Sequence, residues 1–202
     1  MKNYSLLLGC ILSFFGTTCL SAQSTRFERL GAAEGLSQGM IYDLLQDRQG
    51  FMWFATKDGL NRYDGYSFEV FQNKPFDRFS ISDNEVLALL EDHLGRIWVG
   101  TLGNGLSVLD PTSGKFYHLT NLLSQNVFCL TQTPDGLIWV GTAKGVNSVR
   151  IPDLLPENEP RLESIAQVDA FGWDDPSAIG RMPIHRSSDI TSSRDGKLWV
   201  ST

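Results

Sequence analysis

Residues 82–110 read SDNEVLALLEDHLGRIWVGTLGNGLSVLD, and they decide the fold. Residues 86–91 are an apolar, β-prone run. Asp92-His93-Leu94-Gly95 follows as a turn whose glycine is free to take positive φ. Residues 96–101 form the next strand, Gly103-Asn104-Gly105 turns the chain again, and 106–109 is a third strand. Asp110-Pro111-Thr112-Ser113-Gly114 breaks it, and 115–119 is the fourth. Turn signals about every eight to ten residues predict an antiparallel meander. In Ile97-Trp98-Val99-Gly100 both faces of the strand are apolar, whereas a sheet with one wet face would alternate. This four-stranded sheet is therefore expected to lie between neighbours on both faces.

The same pattern recurs along the chain. Trp53, Trp98, Trp139 and Trp199 each have a glycine three residues before (Gly50, Gly95, Gly136, Gly196). Each has a threonine three residues after (Thr56, Thr101, Thr142, Thr202). Aspartate opens each turn, Asp47 and Asp92 as D-x-x-G, Asp135 and Asp195 as D-G. On the tryptophan face a large side chain is followed by a small one: Trp53/Ala55, Trp98/Gly100, Trp139/Gly141 and Trp199/Ser201. That taper suits sheets converging on an axis. Four-stranded repeats of about 40–45 residues, apolar on both faces, are the blades of an all-β propeller.

The sequence places blades at 36–75, 81–120, 123–168 and 187–202. The third is interrupted: after a third strand at 146–150 come Pro152, Pro156 and Pro160 in a polar break, then an outer strand at 162–168. Residues 169–186 read as an insertion loop. The second strand of the fourth repeat runs to Thr202, so the expectation is an incomplete propeller, an open arc of three full blades and part of a fourth. Its first blade and its fourth should expose apolar side chains, Trp199 and Val200 among them, and the isolated chain is expected to be marginally stable or prone to associate.

Lys2, an apolar run over 6–20 and the small pair Ser21-Ala22 read as a signal peptide over 1–22, with cleavage before Gln23. Export to the periplasm follows. Cys10 and Cys19 fall in that peptide, so Cys129, within an apolar run, is left as a buried small hydrophobe with no disulfide framework. The net charge is −6 and no basic cluster exists, which argues against a nucleic-acid partner.

GLSQGMIYDLLQDRQGFMWFATKDGLNRYDG (35–65) and the segment quoted first resemble the two-component regulator propeller repeat. That repeat builds the periplasmic sensor region of hybrid two-component histidine kinases. FERLGAAEGLSQGMIYDLLQD (27–47) is similar to the start of such sensors. The resemblance implies an extracytoplasmic ligand-sensing propeller responding to glycan-derived signals. It implies a partner that is an oligosaccharide or polysaccharide fragment, the remaining blades, or a second sensor subunit in a homodimer. Kinase activity is implied for a full-length relative only.

No catalytic constellation stands out. His93, His118 and His185 have no second histidine or cysteine at ligand spacing, so surface roles are expected and no metal or cofactor is called for. The recurrent aspartates are read as turn initiators, and the repeat tryptophans as core. Trp173 lies outside the repeat; with Arg181 and His185 it is the candidate ligand-binding set. Two alternatives to the sensor are a stand-alone secreted propeller that binds partners and a propeller glycoside hydrolase. The latter is suggested by the Asp-box-like turn SRDGKLW at 193–199.

Overall fold

The computed structural model describes residues 29–172, 189–193 and 198–201. Blade 1 is β1 (Ile41–Gln46), β2 (Met52–Thr56), β3 (Gly59–Tyr63) and β4 (Phe68–Phe71). Blade 2 is β5 (Val86–Glu91), β6 (Ile97–Thr101), β7 (Leu106–Asp110) and β8 (Lys115–Leu119). Blade 3 is β9 (Val127–Gln132), β10 (Ile138–Thr142), β11 (Gly145–Arg150) and β12 (Gln167–Gly172). Blade 4 is described as the hairpin of β13 (Asp189–Ser192) and β14 (Leu198–Ser201). Each sheet is an antiparallel meander in sequence order. The first strand of each of blades 1 to 3 carries the same register shift opposite the repeat threonine, at 41/43, at 86/88 and between the partners of Gly141 and Thr142.

Successive blades meet through their first strands: β1 lies against β5, β5 against β9, and β9 against β13. The core is therefore a series of slabs between blades. Trp53, Ala55 and Leu60 of blade 1 meet Val86, Ile97 and Val99 of blade 2. Trp98, Leu106 and Val108 of blade 2 meet Val127, Ile138 and Val140 of blade 3. Burying one such large side chain contributes about 1.5–3 kcal/mol. The approach is close at Gly100, where a Cβ would stand 2.6 Å from Val127 Cγ1. Blade 1 has alanine there.

The described blades form an open arc, and apolar side chains are exposed on blade 1 (Met40, Leu44) and on blade 4, where Trp199 is 63% exposed. Val200 is half-buried. The three repeat tryptophans before Trp199 are buried (Trp53, Trp98) or half-buried (Trp139).

The outer strand of blade 3 departs from expectation. It is Gln167–Gly172, not 162–168, so a long segment at 151–166 lies between the third and fourth strands, and 169–172 belong to the strand; residues 173–186 of the expected insertion lie outside the described residues. Leu162 explains the shift. It is fully buried in the core between blades 2 and 3, and its N–H donates to the His118 carbonyl at 2.9 Å. The chain from Arg150 therefore crosses to blade 2 before returning. The run Val168-Asp169-Ala170-Phe171 then pairs with β11, and Phe171 tilts against Trp139 at 5.7 Å between ring centroids.

Candidate functional site

The repeat residues first serve the blades. The glycines Gly50, Gly95 and Gly136 have φ of 94°, 83° and 83°, the left-handed turn position that disfavours other residues. The threonines Thr56, Thr101 and Thr142 are fully buried, and each Oγ1 donates to the carbonyl of Gly59, Gly105 or Gly145 across the next hairpin, at 2.8–2.9 Å. Gly196 and Thr202 lie outside the described residues. A third position was missed by sequence reading. Asn61, Ser107 and Asn147, on the third strands, accept the backbone N–H of Ser37, Ser82 and Leu123, which pins the segment leading into each blade.

The turn aspartates do more than start turns. Asp47 Oδ1 accepts the N–H of Gln49 and of Phe51, and its Oδ2 accepts the Trp53 indole N–H at 2.7 Å. In blade 2, Asp92 repeats this with Leu94, Arg96 and Trp98 (2.8 Å), and adds a buried ion pair to Arg96 Nε at 2.6 Å. Burial pushes the Asp92 carboxyl up, but the bonds from Trp98 and Arg96 outweigh it and hold it below its ordinary value. Asp135 is not the counterpart of these two. It stands four residues before its tryptophan rather than six; Thr133 occupies the aspartate position, and the buried Trp139 indole nitrogen has no partner. The six-residue Asp–Trp spacing was the readable signal.

Residues 151–166 form a strap over the outer edge of blade 2. Arg96 donates to the Pro152 carbonyl, Lys115 Nζ to the Glu157 carbonyl, and the His118 N–H to the Pro160 carbonyl at 2.7 Å. Thr120 donates to Glu163 through both N and Oγ1. Phe79, in the connection between blades 1 and 2, covers the same edge lower down, its carbonyl accepting from Phe116 N–H at 2.9 Å. Between strap and blade lies a polar cleft of about 810 Å³, lined by Ser82, Asn104, His118, Thr120, Arg161 and Glu163 among others.

His118, expected at the surface, is half-buried here. Its Nε2 lies 3.3 Å from the Arg78 carbonyl and its Nδ1 3.2 Å from Ser107 Oγ, whose own proton goes to Ser82 Oγ. Burial lowers its pKa, against smaller opposing effects of the Arg78 carbonyl and of Glu163, so the imidazole is held neutral. Burial also pushes the Glu163 carboxyl up, but the Thr120 bonds prevail and it lies below its ordinary value. The Arg161 guanidinium makes no hydrogen bond or ion pair among the described residues, and the Glu163 carboxylate draws on its charge. The cleft thus offers donors and acceptors side by side. Trp173, Arg181 and His185 lie outside the described residues. Among the described residues no cluster of histidine, cysteine and acidic side chains could hold a metal.

Meanders of four antiparallel strands, packed face to face through their first strands, are blades of a β-propeller. Residues 35–58, 80–103 and 121–144 match the two-component regulator propeller family. A histidine kinase of Formosa agariphila is 37% identical over 84 residues, 41% of this chain and 6% of that protein. The extracellular domain of a hybrid two-component system from B. thetaiotaomicron superposes with a TM-score of 0.68 at 25% identity, over 86% of this chain and 23% of its own. The extracellular domain of a one-component system from the same organism gives 0.66 at 22%, over 89% and 23%, a likeness of fold. The chain thus spans a small part of each of these relatives.

Proposed function

We propose that this chain is part of the extracytoplasmic ligand-sensing propeller of a two-component sensor, and that its signal is glycan-derived. The observation that carries the first half is the combination of three family repeats with a fold likeness, at 25% identity, to the extracellular domain of a hybrid two-component system. The blades supply a rigid frame, and the output belongs to other domains of a longer protein. The glycan half is supported by the cleft under the strap. A vicinal diol donates through one hydroxyl and accepts through the other, and Glu163 beside Arg161 offers the complementary pair, with Asn104 and Thr120 within the same wall.

The two halves are tested separately. Expressed from Met1 with the export machinery intact, the protein should be recovered outside the cytoplasm with a mature N-terminus near Gln23. Retention in the cytoplasm would remove the sensor reading. Titration of the exported chain with a panel of neutral oligosaccharides should then give binding that Arg161→Ala weakens at least tenfold. A panel that gives no heat, or an unchanged affinity in the variant, would remove the glycan from this cleft.

A further inference from the structure

Blade 2 departs from its neighbours at two positions near the turn that leads into its tryptophan strand. Four residues before the repeat tryptophan, blades 1 and 3 have the polar, exposed Gln49 and Asp135. Two residues before it they have the apolar, half-buried Phe51 and Leu137. Blade 2 exchanges the two chemistries: Leu94 takes the outer position and is 44% exposed, and Arg96 takes the inner one and is 7% exposed. A buried cation beside an exposed leucine runs against the burial preference of both side chains. Local violations of this kind are expected at functional sites.

The strap completes the place. The Pro152 carbonyl accepts from Arg96 Nη1 at 2.8 Å, and Leu155 packs on the core between blades 2 and 3. Between these anchors Asp153 and Leu154 are held at the surface. A pocket of about 400 Å³ lies there, and its lining includes Leu94, Arg96, Asp110, Asp153, Leu154 and Leu155. None of these lines the cleft described above. Arg96 Nε is bonded to Asp92 and Nη1 to Pro152, and Nη2 has no partner among the described residues. The Trp139 indole nitrogen is the one sealed side-chain polar atom they leave without a partner, so Nη2 is open to the outside, and the pocket is the space that Arg96 lines. Asp92 balances the Arg96 charge, and Asp110 and Asp153 make the pocket acidic. Burial pushes the Asp110 carboxyl up, but bonds from Ser113 and Thr112 prevail and hold it below its ordinary value, so it is ionised. Asp153 makes no hydrogen bond or ion pair among the described residues.

A buried donor, two carboxylates and three leucines have the make-up of a small-molecule site, an apolar lining with a few placed polar groups. We propose that this pocket binds an apolar α-amino acid, free or as the first residue of a peptide. Its carboxylate or carbonyl oxygen accepts from Arg96 Nη2, its ammonium donates to Asp110 and Asp153, and its side chain lies among Leu94, Leu154 and Leu155. A simple anion would meet the two carboxylates, and a simple cation the guanidinium. A ligand with an acceptor and an ammonium on one carbon satisfies both. The proposal holds whatever the cleft binds.

The test is titration calorimetry of the whole chain with L-leucine. L-leucine should bind, and two truncated probes should each lose at least tenfold in affinity: N-acetyl-L-leucine, which lacks the ammonium, and isoamylamine, which lacks the carboxylate. Asp153→Asn and Leu154→Ser should each weaken L-leucine at least fivefold. Both side chains are exposed, so both variants should melt as the parent does. L-leucinamide separates the two sources. An affinity within about threefold of that of L-leucine assigns the pocket to a peptide N-terminus, and a larger loss assigns it to the free amino acid. No heat with either L-leucine or L-leucinamide, a truncated probe that binds as tightly as L-leucine, or folded variants with unchanged affinity would each overturn the proposal.

Discussion

Blades 2 and 3 share one pentapeptide, Ile-Trp-Val-Gly-Thr, at 97–101 and 138–142, and hold it differently. Both copies are second strands, both pair with neighbours on either side, and both threonines clasp the next hairpin. Yet Trp98 is fully buried with its indole bonded to Asp92, whereas Trp139 is half-buried with its indole nitrogen unpartnered. The difference lies six residues upstream, Asp92 against Thr133. The strand sequence places a tryptophan in its slab, and the turn decides whether its polar atom is satisfied. A propeller can therefore repeat its core pattern faithfully and still grade its blades in stability.

Removing the clasp where it is strongest should have the largest effect. Asp92→Ala strips acceptors from the Leu94 and Arg96 N–H groups and the Trp98 indole, and leaves a buried guanidinium without its carboxylate. The expected cost is about 3–5 kcal/mol in urea melts. The acid limb of stability should change with it. The folded pKa of Asp92 is depressed, so its contribution is complete above the unfolded value of about 3.9 and is lost as pH falls through the folded value. Asp92→Ala should flatten the stability profile below about pH 4; a variant that loses stability in acid as steeply as the parent would show that other carboxylates set that limb.

Gly100→Ala comes next. The new methyl meets Val127 Cγ1, and the core between blades 2 and 3 must give way at about 1–3 kcal/mol. Combining it with Val127→Ala should recover part of that loss in a double-mutant cycle. Strictly additive losses would mean that the two side chains do not compete for one space.

The smallest effect, and the one with opposite sign, is Thr133→Asp. It supplies the acceptor that Trp139 lacks, so about 1 kcal/mol of stabilisation is expected after the loss of the Thr133–Asp135 bond. A thermal melt that moves down rather than up would show that Thr133 is the better residue there, and would weaken the comparison of the two blades.

The blades were legible because each buries the same positions: tryptophan, the small residue after it, and the threonine at the hairpin recur wherever neighbouring slabs impose the same contacts. The strap was not, because 151–166 pairs with the edge of a different blade. Pro152, Pro156 and Pro160 say only where a ladder cannot form, and nothing local points Leu162 at His118. The cleft it builds was unreadable for the same reason, since Ser82, Asn104, Thr120 and Glu163 come from separate segments joined by that crossing. The clasp was half legible. Aligning Asp135 with Asp47 and Asp92 by residue type hid an offset of two positions, which the constant distance to tryptophan would have exposed.

The most direct measurement is the exchange rate of the indole N–H protons, followed one by one in a nitrogen-15-labelled chain. The Trp53 and Trp98 indoles, bonded to Asp47 and Asp92, should exchange at least tenfold more slowly than that of Trp139. Thr133→Asp should slow Trp139 to their level without moving the other two. A Trp139 indole as slow as that of Trp98 in the unmodified chain would contradict the account, since the carboxylate clasp would then not be what distinguishes one blade from the next.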